Sequence, residues 1–132
     1  MATSTATSSK AATDSAAARI VRSYFEAYEQ KDRAAAEELL ARDLTFLSPF
    51  DDSLDYAQYF ERVWPQSERI RSVTIEQVFE SGDHVFILYE LHAHSGLTFR
   101  NTEFIALEGG KIRRIEVFFG KIPPEMMAEA RV

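Results

Sequence analysis

At Ser72 the hydrophobic rhythm of the chain changes, and that change constrains the fold more than any other feature of the sequence. Beyond it, apolar side chains recur at every second position, the period of a β-strand. Four segments carry this period: residues 73–80, 84–93, 97–107 and 112–119. Gly82-Asp83, Ser95-Gly96 and Gly109-Gly110 separate them, and each is a hairpin-type connection. Strands joined by so few residues pair antiparallel, so the second half of the chain is a meander. The first half has the period of a helix. Val21, Tyr24, Phe25 and Tyr28 stand at i, i+3, i+4 and i+7, behind Asp14 or Ser15 as a helix cap. Asp32 caps a second, shorter helix with Ala36, Leu39 and Leu40 inward. Residues 44–47 read as a short strand stopped by Pro49. Ser53 then caps a third helix, with Tyr56, Tyr59, Phe60, Val63 and Trp64 inward and Pro65 at its end. Helices first and an antiparallel meander last predict an α+β fold, with N-terminal helices packed on a curved antiparallel sheet.

A chain of 132 residues fits one domain, and ten Phe and five Tyr supply core material. Residues 1–13, mostly Ala, Ser and Thr, read as a flexible tail. The domain is expected over 14–122, with 123–132 as a C-terminal tail. The first Arg is Arg19 and no apolar block precedes it, which argues against a targeting peptide. A net charge of −6 argues against nucleic acid or an anionic membrane as partner. The absence of Cys excludes disulfides and thiolate metal sites. No apolar run approaches the ~20 residues of a membrane span. A soluble, cytoplasmic protein is the expectation.

The hairpin at 94–96 fixes the strand register. His94-Ser95-Gly96 reads as a type I turn followed by a left-handed Gly, which pairs Ala93 with Leu97, Glu90 with Arg100 and Leu88 with Thr102. A two-residue loop would shift the pairing and undo it. One face then carries Phe86, Leu88, Glu90, His92, Thr98, Arg100, Thr102 and Phe104. The other carries Val85, Ile87, Tyr89, Leu91, Phe99, Asn101, Glu103 and Ile105. Both mix large apolar residues with a few polar ones. The first, with its charged cluster, is expected to face a pocket under the helices. The second is too apolar to leave in water and is expected to form a homodimer interface with Phe118, while Asn101, Glu103, Arg114 and Glu116 pair across the two-fold axis.

Two stretches resemble the ketosteroid isomerase and SnoaL-like polyketide cyclase branch of the nuclear-transport-factor-2-like superfamily. The first runs from Tyr24-Phe25-Glu26-Ala27-Tyr28 through Lys31-Asp32 to Leu44-Thr45-Phe46-Leu47-Ser48-Pro49-Phe50. The second joins Thr102-Glu103-Phe104 to Gly110-Lys111-Ile112 and Val117-Phe118-Phe119-Gly120. The resemblance implies a cystatin-like roll with a cone-shaped pocket between the helices and the concave sheet face, dimerisation often through the convex face, and no metal or cofactor. It implies that Tyr24 occupies the position of an oxyanion-hole tyrosine. The isomerases' general-base aspartate corresponds to Ser48 and their protonated oxyanion-hole aspartate to Thr102, so both carboxyls are absent at those positions. That argues against steroid isomerisation by their route. Related epoxide hydrolases use Arg-x-Asp on one strand and Asp on the next. Here Arg100-Asn101-Thr102 and Val117 stand instead, keeping only the arginine.

On the residues themselves, Glu90, His92 and Arg100 form the expected catalytic cluster, joined by Tyr24. Charges taken out of water need partners, and two readings satisfy that demand. In one, Glu90 and Arg100 are a cross-strand ion pair with His92 at the pocket rim. In the other, Arg100 holds a ligand carboxylate or enolate while Glu90 or His92 moves a proton. Ser48, Thr102, Tyr56, Trp64, Phe86, Leu88, Phe104 and Phe119 are expected to line the substrate site, although Tyr56 and Trp64 at helical spacing suit a core equally. Glu90, His92 and His94 share one strand face at a spacing compatible with zinc, but no fourth ligand is evident and no metal is expected. Arg62, Arg69 and Arg71 read as solvated surface. The resulting function is a cofactor-independent isomerase, cyclase, dehydratase or hydrolase for a small hydrophobic or polyketide-like substrate. The alternatives are a non-catalytic small-molecule binding module and a dimeric scaffold.

Overall fold

A computed structural model describes residues 14–121. The expected tails at 1–13 and 123–132 lie outside the described residues. Helix α1 (Ala16–Gln30) starts where the Ser15 hydroxyl accepts the Ala18 amide, and it ends on Lys31 in the left-handed conformation. The Asp32 carboxylate then caps α2 (Arg33–Leu39) by accepting the Ala35 amide at 3.1 Å. Strand β1 (Leu40–Leu47) follows directly and is longer than the sequence pattern marks. Helix α3 (Tyr56–Gln58) is capped by Asp55, not Ser53. Asp55 and Gln58 bond each other's backbone reciprocally, satisfying two orphan amides where Ser53 could serve only one. The helix then widens to a π turn (Tyr59–Val63) and tightens to a 3₁₀ stretch (Trp64–Arg69). Pro65 stands in the first turn of this last segment instead of ending the helix, because a first helical turn needs no amide there.

Strands β2 (Ile70–Ser81), β3 (His84–Ala93), β4 (Thr98–Glu108) and β5 (Lys111–Phe119) form the expected antiparallel meander. The sheet is mixed rather than wholly antiparallel, since β1 adds to its far edge parallel to β5, in the order β1-β5-β4-β3-β2. Glu90 pairs with Arg100 and Leu88 with Thr102, as the three-residue hairpin requires. In that hairpin the Gly96 amide reaches the Ala93 carbonyl at 3.0 Å with φ at 98°, a conformation that favours Gly.

The sheet's orientation reverses the expectation. Val21, Tyr24 and Phe25 of α1 share one core with Val85, Ile87, Tyr89, Leu91 and Ile105. The face assigned to a dimer interface is therefore the face beneath the helices, and the pocket assignment of the Glu90 face falls with it. The physical reason is desolvation. Docking the helices on the other face would bury Glu90, His92 and Arg100 at several kcal/mol per charge, whereas the chosen face carries mostly aliphatic side chains. A bulge between Ala106 and Leu107 also inverts β5 relative to simple alternation. Val117 consequently faces inward beside Glu103, and Arg114, Glu116 and Phe118 face outward with Phe104 and Thr102.

Candidate functional site

Between α1, the π and 3₁₀ turns and the inner sheet face lies a cavity of about 700 Å³, within the usual range for a small-molecule site. Tyr24, Tyr28, Phe46, Tyr89, Asn101 and Glu103 contribute to its wall, and Arg62 and Arg69 also line it rather than standing on plain surface. Its polar groups concentrate on the sheet. Asn101 and Glu103 are i and i+2 on β4, so strand alternation aims both inward; Tyr89 stands directly opposite Asn101 on β3. The Asn101 amide donates to Tyr89 Oη at 3.3 Å, and Tyr89 Oη donates to Glu103 Oε2 at 2.5 Å. Above them the hydroxyls of Tyr24 and Tyr59 hydrogen-bond each other.

Glu103 is only 7% exposed and Asn101 4%. Burial pushes the Glu103 carboxyl up to about 7, with the Tyr89 hydrogen bond pulling weakly the other way. Burial likewise raises Tyr24, Tyr59 and Tyr89 well above an ordinary phenol, so all three remain neutral donors at physiological pH. Two oxygens in this group, Glu103 Oε1 and Asn101 Oδ1, are buried without a hydrogen-bond partner among the described residues. Such atoms cost free energy unless something else satisfies them. A carboxyl that titrates near neutrality, beside neutral O–H donors in a cavity, can take up or release a proton under working conditions.

Of the residues expected at the site, the structure brings Tyr24, Ser48 and Phe119 to the cavity. The Ser48 hydroxyl is engaged in a local turn, accepting the Phe50 and Asp51 amides at 3.2 and 3.1 Å. Phe119 packs on Phe50 with ring centroids 5.3 Å apart. Trp64 is buried against Tyr28 and Tyr56 packs on Phe60, both outside the cavity lining. Glu90, His92, Arg100, Thr102, Phe86, Leu88 and Phe104 are on the outer face, where the parity of β3 and β4 puts them. There Arg100 binds Glu76, not Glu90, through contacts of 2.6 and 3.1 Å. A bulge between Ile75 and Gln77 supplies that extra glutamate. Glu90 instead lies 3.5 Å from His92 Nε2, which also meets Thr74 Oγ1 at 3.1 Å. His94 is exposed in the hairpin, and no cluster of three or more metal-ligating side chains forms among the described residues.

The cavity residues that sequence reasoning missed are Tyr89, Asn101 and Glu103, which it placed on a dimer face. The position matched to the isomerases' oxyanion-hole aspartate is Thr102, without a carboxyl, but the next residue supplies one: Thr102 points out and Glu103 points in. A signal for this was available. Val85, Ile87, Leu91 and Ile105 form a nearly charge-free face of β3 and β4, and a lone Glu within such a face stands out more than a Glu, His and Arg that can satisfy one another.

No curated protein matches the sequence. Among solved structures, an NTF2-like protein of unknown function from Cytophaga hutchinsonii superposes with a TM-score of 0.68 at 22% identity, covering 85% of this chain and 94% of its own. A Catenulispora acidiphila protein with a ketosteroid isomerase-like fold, in complex with trimethylamine, gives 0.63 at 18% identity over 76% and 85%. A candidate polyketide cyclase from Sinorhizobium meliloti gives 0.66 at 19% identity over 76% and 94%. At such identities the likeness establishes the NTF2-like, cystatin-like fold alone. The sequence profile of the SnoaL-like domain, however, matches residues 21–115, well over half of the chain, so this protein belongs to the SnoaL-like domain family.

Proposed function

We propose that the cavity is a cofactor-independent acid–base site for a small hydrophobic or polyketide-like substrate, with Glu103 as its proton carrier. The observation that carries this reading is the Glu103 carboxyl: buried in the cavity wall, held by Tyr89 on Oε2 and unpartnered on Oε1. In its anionic form Glu103 can take the α-proton of a bound carbonyl compound, and in its acid form it can return a proton to the substrate's carbon or oxygen. Tyr24, lining the same cavity, supplies a neutral hydroxyl for an oxygen that gains negative charge. Isomerisation, cyclisation, dehydration and hydrolysis are all reactions that such a set can serve without a bound cofactor.

Solvent deuterium incorporation, followed by NMR over a panel of hydrophobic enones and β-dicarbonyl compounds, tests the proposal. Wild-type protein should accelerate α-proton exchange in at least one compound, and Glu103→Gln should reduce that rate by ~10²-fold or more. Binding without exchange by wild-type protein would favour the non-catalytic binding module.

The outer sheet face supports a homodimer. Phe79, Phe86 and Phe118 are 62%, 43% and 47% exposed, and Phe79, Phe86 and Phe104 stand side by side on neighbouring strands. Apolar side chains gathered this way are commonly covered by a partner, and the family resemblance makes a second copy the natural one. Light scattering should give a dimer at tens of micromolar and a monomer for Phe86→Asp; a monomeric wild type would overturn the interface.

A further inference from the structure

The cavity base constrains the ligand more tightly than a general apolar pocket would. Asn101 Nδ2 can only donate, so Tyr89 Oη accepts there and its single proton is committed to Glu103 Oε2. With Oε2 thereby an acceptor, the proton of the carboxylic acid belongs on Oε1. One buried donor, Glu103 Oε1, and one buried acceptor, Asn101 Oδ1, are then left unpartnered among the described residues, on either side of the same tyrosine hydroxyl. A plain ketone fills the first and leaves the second orphaned.

We propose that Asn101 is a specificity-determining residue, and that the ligand is a hydroxy-carbonyl compound whose carbonyl oxygen accepts from Glu103 while a nearby O–H donates to Asn101 Oδ1. The assignment rests on the reading of this cavity as the ligand site, but not on any turnover there. An unpaired buried acceptor penalises the ligand that fails to meet it, on the order of tenfold in affinity.

The test uses 1-tetralone and its 3-hydroxy and 4-hydroxy derivatives at pH 6, with binding measured by calorimetry. At least one hydroxylated compound should bind wild-type protein about tenfold more tightly than 1-tetralone. Asn101→Leu should abolish that preference, so that the hydroxylated compound binds no tighter than 1-tetralone. Asn101 is the sole asparagine of the chain, so asparagine-labelled wild-type protein gives one side-chain carbonyl ¹³C resonance and needs no variant. That resonance should move downfield with the preferred hydroxylated tetralone and not with the parent. No preference in wild-type protein, a preference that survives Asn101→Leu, or equal shifts for both compounds would overturn the proposal. Failure of Glu103 as a proton carrier would appear separately, as exchange unaffected by Glu103→Gln with the hydroxyl preference intact.

Discussion

The two faces of the sheet carry polar groups in opposite states. The outer face has more charges, and they meet partners: Arg100 with Glu76, His92 with Thr74 and Glu90, Arg114 with Glu116. The inner face has few polar groups, yet two of its buried oxygens meet none among the described residues. A tally of charged residues therefore selects the wrong face. On the outer face, solvent and mutual pairing satisfy each charge, and exposed pairs of this kind add little to stability. On the inner face, low dielectric makes each lone polar atom expensive, and retaining one there suits a site whose ligand completes the set.

Adjacent positions offer the sharpest way to break this comparison. Ile87 is fully buried on the inner face and Leu88 is its half-buried neighbour on the outer. Ile87→Asp should cost ~4–5 kcal/mol or prevent folding, by burying an unpaired carboxylate, while Leu88→Asp should cost the folded chain less than ~1 kcal/mol beyond any loss of dimerisation. Equal losses in chemical denaturation would mean the faces are not distinct.

A somewhat smaller effect should appear in the pH dependence of stability. Glu103 is raised from 4.5 to about 7 in the folded protein, so between those values the native state holds a proton that the unfolded state has released. The stabilisation is complete below pH ~4.5 and is lost as pH rises through 7. Its full span is on the order of 3 kcal/mol. Glu103→Gln should remove this component, so that unfolding curves at pH 5 and pH 8 lie closer together than in wild-type protein. An identical pH dependence in both proteins would show that Glu103 titrates as an ordinary exposed carboxylate.

The smallest effect is expected at Arg100, the residue that sequence reasoning made central. With its guanidinium on the outer face and shared with Glu76, Arg100→Met should leave the melting curve and tetralone binding unchanged. Loss of binding in that variant would return the site to the outer face.

Much of this molecule was legible before any coordinates. Helix α1 and its Ser15 cap, the Asp32 cap, the meander and the Glu90–Arg100 register all follow from local rules. They are set by residues within a few positions of each other: a hydroxyl near a free amide, a Gly where φ must be positive. Tyr24 was also legible, because it lies on the apolar stripe of a helix that has to cover the sheet.

Three features were decided only when the parts docked. Alternation divides β3 and β4 into two faces but does not say which one the helices will cover, since that is a competition between the burial free energies of two mixed surfaces. The bulge at Ala106–Leu107 then reverses the parity of β5 for everything after it, and the one at Ile75–Gln77 brings Glu76 to Arg100. The elevated carboxyl at Glu103 exists only because α1 and the π turn exclude water from a side chain that, on an isolated strand, would be an ordinary acid. Register is local chemistry and can be read along the chain; inside and outside are a property of the whole fold, and so is a site made from atoms that the fold leaves unpaired.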